Sequence, residues 1–215
     1  MVAQDRKSDQ PTAGSYSRAE RVILEPFRRG MAWLVAPIVN VLVRLGISPN
    51  TVSFSQIPIG FGAAALIPHA PRVAFGMFLG ALLLDAIDGA LARKQGASST
   101  FGGLVDQVAD HVREITMVGG LVAAGAMRGE IGVAYALLYP LVNFMLYVAS
   151  INKTEVPVAI KTWMSFYPFM FIFLLFGTNW LDYSGAVSAG LMALTSAIAM
   201  FLVSRHTTQV DAAKR

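Results

Sequence analysis

Six apolar runs dominate the chain, at about 51–68, 73–94, 100–127, 131–151, 157–177 and 184–204, and only short polar turns separate them. Wound as a helix at about 1.5 Å per residue, a run of this length reaches across or nearly across a hydrocarbon core of about 30 Å. Inside hydrocarbon every backbone N–H and C=O needs a partner within the chain, and a helix supplies one along its own length. The expected fold is therefore all-α: a polytopic membrane protein, with residues 49–206 forming a six-transmembrane-helix bundle. The composition agrees, since 55% of the 215 residues are hydrophobic and only 14% charged, with a mean hydropathy of +0.56.

Residues 18–48 have a different character. Arg18, Arg21, Arg28, Arg29 and Arg44 interleave with Val22, Ile23, Leu24, Phe27 and Trp33. That pattern suits an N-terminal amphipathic surface helix lying on an anionic cytoplasmic leaflet. Its second part, 31–47, is apolar but interrupted by Pro37, Asn40 and Arg44, and is either an interfacial continuation or a seventh span. Gly46, Ser48 and Pro49 then read as a helix stop, an N-cap and a first helical residue. Residues 1–17 are expected to be a mobile polar tail without the features of a cleavable signal, and 207–215 a polar C-terminal tail.

The basic residues fall on one side of the predicted layout. The N-terminal part, the turn at Arg93 and Lys94, the turn near Lys153 and Lys161, and the C-terminus with Arg205, Lys214 and Arg215 alternate with outer turns holding only Arg72 and Arg128. The positive-inside rule places both termini, and the turn after Arg93, in the cytoplasm of a cell or inner membrane. Because this basic charge is juxtamembrane, nucleic acid is not an expected partner. With no cysteine in the chain, disulfides, thiolate metal sites and cysteine nucleophiles are excluded.

Against this apolar background, four aspartates stand out. Asp85 and Asp88 are three residues apart and Asp106 and Asp110 four apart, so each pair shares a helix face. Counted inward from Lys94, Asp88 and Asp85 lie roughly 9 and 13 Å deep, and counted from Thr100, Asp106 and Asp110 lie roughly 9 and 15 Å deep. The two pairs thus come level across an antiparallel hairpin, whose turn offers Ser98, Ser99 or Thr100 as a cap. A carboxylate near a bilayer centre costs about 2.5–3.5 kcal/mol even on lenient scales, so four of them need compensation.

Oxygen-only ligands point to Mg²⁺ or Mn²⁺, with room for two ions. His111 follows Asp110 directly and faces elsewhere, which argues against zinc. The alternative is structural: hydroxyls or Arg113 satisfy the aspartates one by one, and Gly89, Ala92 and Gly102 merely let helices approach. On the functional reading, those small residues leave room for a flat ligand beside the metal, and Arg93 clamps a phosphate.

Asp85, Asp88, Gly89, Ala92, Arg93, Gly102, Asp106 and Asp110, at these spacings, resemble the signature of the CDP-alcohol phosphatidyltransferase family of integral membrane enzymes. The resemblance implies transfer of a substituted phosphate from a CDP-linked donor, usually CDP-diacylglycerol, to a polar alcohol acceptor with release of CMP. It further implies that Asp85, Asp88 and Asp106 hold the divalent metals, that Asp110 ligates in part and is the general base, and that Gly89, Ala92, Arg93 and Gly102 line the CDP site. Family members similar to this chain start their first span with a Pro-Asn pair, here Pro49 and Asn50, which adds Asn50 to the nucleotide site. Homodimers are usual in the family.

The acceptor half is less legible. Arg113, Lys153 and Lys161 are the available cations along the same cytoplasmic side, and glycerol phosphate, inositol or inositol phosphate are the acceptors considered. The denser arginine cluster of the inositol-phosphate-using subgroup is absent. A competing class, a divalent-cation or proton-coupled transporter, would use the same buried acids. It predicts acids at the midplane and an internal repeat, whereas these acids cluster toward one face.

Overall fold

The computed structural model describes residues 18–97, 99–157 and 162–213. Among these residues the chain forms eight helices: α1 (Arg18–Arg44), α2 (Pro49–Leu66), α3 (Pro71–Gln95), α4 (Thr100–Ala123), α5 (Gly129–Ile151), α6 (Thr162–Ser165), α7 (Tyr167–Phe176) and α8 (Leu181–Ala213). The expected tail at 1–17 lies outside the described residues.

Local chemistry sets the boundaries. Ser48 caps α2, its Oγ accepting from the Thr51 amide at 3.2 Å, with Pro49 in the first turn. Ser99 caps α4 in the same way through the Gly102 amide at 3.0 Å. At the end of α3 the Ala97 amide reaches back to the Ala92 carbonyl at 3.0 Å, closing a left-handed turn through Gly96 at φ 62. The same closure at the end of α5 runs from the Thr154 amide to the Ala149 carbonyl at 2.9 Å, but passes through Lys153 at φ 53. A lysine in this region is unusual.

Among the described residues three helices are long and apolar enough to cross a membrane: α3, α5 and the Leu181–Thr208 part of α8. A fourth span arises if Trp33–Arg44 and α2 count together, although they meet at 113°. The chain is thus an all-helical integral membrane protein. α4 has the length to cross but carries Asp106, Asp110, Arg113 and Glu114, so its polarity reflects the site. The expected run 157–177 differs most from the structure. There the helical stretch is broken at Phe166 into the four-residue α6 and the ten-residue α7, because Pro168 at the start of α7 has no amide to continue the ladder. At the C-terminus, α8 continues through Ala213, past the expected boundary of the tail at 207.

The largest core cluster joins Phe78 of α3, Met117 and Leu121 of α4, Tyr135 of α5, Tyr167, Met170 and Leu174 of α7, and Met192 of α8. A second cluster, of Val35 and Val39 with Val52, Ile87 and Leu91, fastens the end of α1 to α2 and α3. Lys94 Nζ donates to Asn40 Oδ1, and Gln95 Nε2 to the Ile47 carbonyl at 3.0 Å, on the same side. These contacts hold the α1 end beside the turn that leads into the aspartate region.

Candidate active site

α2 packs on both α3 and α4, whereas α3 and α4 make little direct backbone contact. The expected hairpin is therefore a three-helix arrangement in which α2 backs the aspartates of both neighbours. Small residues bring α4 onto α2. A methyl on Gly120 would lie 2.8 Å from the Ala64 Cα, and one on Gly60 would lie 3.3 Å from the Arg113 Cα. Gln56, one turn before Gly60, consequently faces Arg113.

Across this arrangement one carboxylate oxygen each from Asp85, Asp88 and Asp106 lies within 4.8 Å of the other two. Asp88 is 3% exposed, and its Oδ2 accepts from Ser53 Oγ at 2.6 Å and from Gln56 Nε2 at 3.0 Å, both on α2. Asp106 Oδ1 is buried with no hydrogen-bond partner among the described residues. Three convergent carboxylates, one with an orphaned oxygen and none beside a lysine, are the donor set of a hard divalent cation. The site fits Mg²⁺ or Mn²⁺ in that sense.

Asp110 lies outside this trio. Its Oδ1 is 2.8 Å from Arg113 Nη1, close enough for an ion pair yet not aligned as a hydrogen bond, so that oxygen keeps its accepting capacity. Arg113 is 3% exposed; its Nη1 also donates to Gln56 Oε1, and its guanidinium carbon lies 6.0 Å from the centre of the Phe78 ring. Next to it Glu114 is fully buried and accepts from the hydroxyls of Tyr135 and Tyr167.

A sequence model of the CDP-alcohol phosphatidyltransferase family matches residues 46–205, most of the chain. The chain belongs to the CDP-alcohol phosphatidyltransferase family. Among characterised relatives, it is 32% identical over 97 residues to archaetidylinositol phosphate synthase of Pyrococcus horikoshii, covering 43% of this chain and 50% of that protein. It is 29% identical over 117 residues to phosphatidylinositol phosphate synthase of Mycobacterium marinum, covering 52% and 49% respectively. These matches span about half the length of each relative. The fold is shared with the crystal structure of Mycobacterium tuberculosis phosphatidylinositol phosphate synthase, described with CDP-DAG bound. The TM-score is 0.66 and identity 17%, over 78% of this chain and 92% of that one.

Within this phosphatidyltransferase domain the signature residues all sit on α3 and α4, and those expected around the nucleotide make two local contacts. A methyl on Gly102 would lie 3.4 Å from Asn50 Oδ1 and 3.2 Å from Ser99 Oγ, which places the starts of α2 and α4 side by side. The Arg93 guanidinium folds back over Gly89, where a methyl would lie 3.4 Å from its Nη1. Ala92 is half-buried and Arg93 itself exposed. Of the expected acceptor residues, Arg113 is engaged by Asp110 and Gln56, Lys153 is exposed in the turn after α5, and Lys161 lies outside the described residues.

Sequence reasoning missed Ser53 and Gln56. Their signal was present: two polar residues three apart in an apolar helix, the spacing that puts both on one face. It also left the partners of Glu114 unread, because nothing local to Tyr135 or Tyr167 indicates a shared carboxylate.

Proposed function

We propose that this protein is a divalent-cation-dependent phosphatidyltransferase that moves a phosphatidyl group from CDP-diacylglycerol to a polar alcohol and releases CMP. The observation that supports it most strongly is the convergence of Asp85, Asp88 and Asp106 within 4.8 Å of one another inside a domain of this family. Family membership also favours a transferase over the transporter alternative. The donor assignment is supported by the CDP-DAG described in the Mycobacterium tuberculosis structure. The names of the relatives favour an inositol phosphate among the possible acceptors.

In this reading the acceptor hydroxyl attacks the phosphatidyl phosphorus in line as the bond to the CMP phosphate breaks, and Asp110 takes the hydroxyl proton. Arg113 holds Asp110 in place before that step. Arg93 binds a donor phosphate, while Asn50, Gly89, Ala92 and Gly102 shape the nucleotide site. Asp85, Asp88 and Asp106, with Asp110 at their edge, would hold two Mg²⁺ or Mn²⁺ ions, which when bound neutralise pyrophosphate and leaving-group charge. Arg113, Lys153 and Lys161 are the candidate partners of an acceptor phosphate.

The topology that suits this chemistry has six spans, α6 and α7 together making one, with α1 on the cytoplasmic surface. Both termini and the site then face the cytoplasm, where nucleotide and acceptor are soluble while the donor's acyl chains stay in lipid. A homodimer is the proposed assembly. The test is CMP release from CDP-diacylglycerol by the purified protein in detergent with Mg²⁺, screened across inositol phosphate, glycerol 3-phosphate, inositol, serine and choline. Turnover with one acceptor, lost in Asp110→Asn, is expected; no turnover with any of them would refute the proposal.

A further inference from the structure

We infer that Gln56 is a positioning residue that couples the metal-binding carboxylates to the Asp110 base, and that Ser53 assists it on the metal side only. This inference rests on the phosphatidyltransferase reading of the site.

The argument starts from donor and acceptor inventory. An ionised carboxylate only accepts hydrogen bonds and a guanidinium only donates them. Gln56 lies between one of each. Its Nε2 donates to Asp88 Oδ2 at 3.0 Å and its Oε1 accepts from Arg113 Nη1. Neither group can be served by the other end of the amide, so the two partners fix its orientation. A glutamate at this position could not donate to Asp88, a lysine could not accept from Arg113, and a leucine could do neither.

The amide completes a chain of contacts from Asp88 through Gln56 and Arg113 to Asp110, the last link being 2.8 Å long. Its first three members are buried: Gln56 at 0%, Asp88 at 3% and Arg113 at 3% exposure. Water therefore cannot replace a lost partner cheaply, and a side chain moved at one end is felt at the other. Ser53 adds a second donor to the same Asp88 oxygen at 2.6 Å. Both α2 donors thus occupy Oδ2, which leaves Oδ1 of Asp88 free of them. Outer groups that orient a ligand in this way typically contribute 10–100-fold in metal affinity.

The two residues consequently have separable effects. Ser53 reaches Asp88 and not Arg113, so Ser53→Ala should weaken metal binding and leave the maximal rate at saturating metal near that of the wild type. Gln56 touches both arms. In Gln56→Glu, which keeps the shape, a second acceptor faces Asp88, and the new carboxylate competes with Asp110 for Arg113. Metal binding should weaken and the rate should stay low even at saturating metal.

The experiment measures Mn²⁺ binding to the purified full chain in detergent by electron paramagnetic resonance, without substrate, for wild type, Asp88→Asn, Ser53→Ala and Gln56→Glu. CMP release against Mn²⁺ concentration follows for the same four. Helical circular dichroism and a single elution peak establish that each is folded, and Ser53→Ala, which removes one oxygen atom, keeps the test open if Gln56→Glu fails to fold. The expected result is about a tenfold or greater loss of Mn²⁺ affinity in Gln56→Glu, on the scale of outer-group effects, and a smaller loss of about three- to tenfold in Ser53→Ala, where Gln56 still donates to the same Asp88 oxygen. Only the Ser53→Ala rate is rescued by added Mn²⁺. Wild-type Mn²⁺ affinity in both variants, with Asp88→Asn impaired, would overturn the inference while leaving the metal site standing. Wild-type Mn²⁺ binding that Asp88→Asn leaves unchanged would instead overturn the metal assignment beneath it.

Discussion

Tyr135 donates its hydroxyl hydrogen bond to Glu114 Oε1 at 2.6 Å, with both side chains fully buried. The Tyr167 hydroxyl takes the other carboxylate oxygen, so one acid on α4 is held from α5 and from α7. Its neighbour in sequence is Arg113. The cluster therefore anchors the segment of α4 that bears the Arg113–Asp110 pair.

Tyr135→Phe removes one donor from a buried carboxylate and leaves the ring packing against Phe166 intact. Leaving a buried polar group without its hydrogen-bond partner costs about 1–3 kcal/mol. The expected outcome is a lower melting temperature in detergent, by about 2–4 °C per kcal/mol for a chain of this size, with a much smaller loss for the exposed Tyr183→Phe as control. Equal melting temperatures for Tyr135→Phe and the wild type would show that the hydroxyl contact carries no stability.

The different surroundings of Asp88 and Asp110 separate ligand from base. Asp88→Asn keeps an oxygen able to accept from Ser53 or Gln56 but loses the negative charge beside Asp85 and Asp106, so Mn²⁺ affinity should fall at least about tenfold while the fold persists. Asp110→Asn leaves that trio whole, and its main effect should be a drop in kcat of about 10²–10⁴, the usual range for loss of a general base. KM for CDP-diacylglycerol should change little. Isothermal titration with Mn²⁺ alongside initial rates checks both, and equal losses of Mn²⁺ affinity in the two variants would assign Asp110 to the metal as fully as Asp88.

Periodicity carried the fold class a long way, because apolar runs in lipid leave the backbone few options. The caps at Ser48 and Ser99 and the shared faces of the aspartate pairs were legible for the same reason: they depend on neighbours within a turn or two. What escaped was long-range. The place of α2 between α3 and α4 depends on Gly60 and Gly120 meeting Arg113 and Ala64, contacts some fifty to sixty residues apart in the chain. Gln56 was invisible as a site residue until that packing set it between Asp88 and Arg113. The break at Phe166 had a local signal in Pro168, which hydropathy alone overrides.

Packing of α2 on α4 makes a prediction of its own. In Gly120→Val the new side chain would start 2.8 Å from Ala64, and the close atoms there belong to backbone or Cβ, which cannot swing aside. Overpacking of this kind costs about 1–3 kcal/mol. It should also move α4 relative to α2, weakening Mn²⁺ binding although Gly120 lies far along the helix from Asp106. Thermal melting and Mn²⁺ titration of Gly120→Val beside Gly119→Val, whose Cβ meets nothing within 4 Å, test this. Indistinguishable behaviour of the two variants would contradict it.

The last prediction concerns the nucleotide end. Gly102→Ala would place a methyl 3.4 Å from Asn50 Oδ1 and 3.2 Å from the Ser99 oxygen that caps α4. The second distance is tight enough to require a shift of a few tenths of an ångström, which a serine side chain at an exposed cap can make. Stability should therefore change by less than about 1 kcal/mol, in part because alanine favours the helix over glycine. Nucleotide binding should suffer more, since the methyl enters the space between Asn50 and the start of α4. The expected result is a several-fold higher KM for CDP-diacylglycerol with kcat and Mn²⁺ affinity within about twofold of wild type, the pattern of lost ground-state binding. A normal KM would remove Gly102 and its neighbour Asn50 from the nucleotide site, and a fall in kcat alone would move Gly102 to the reacting centre.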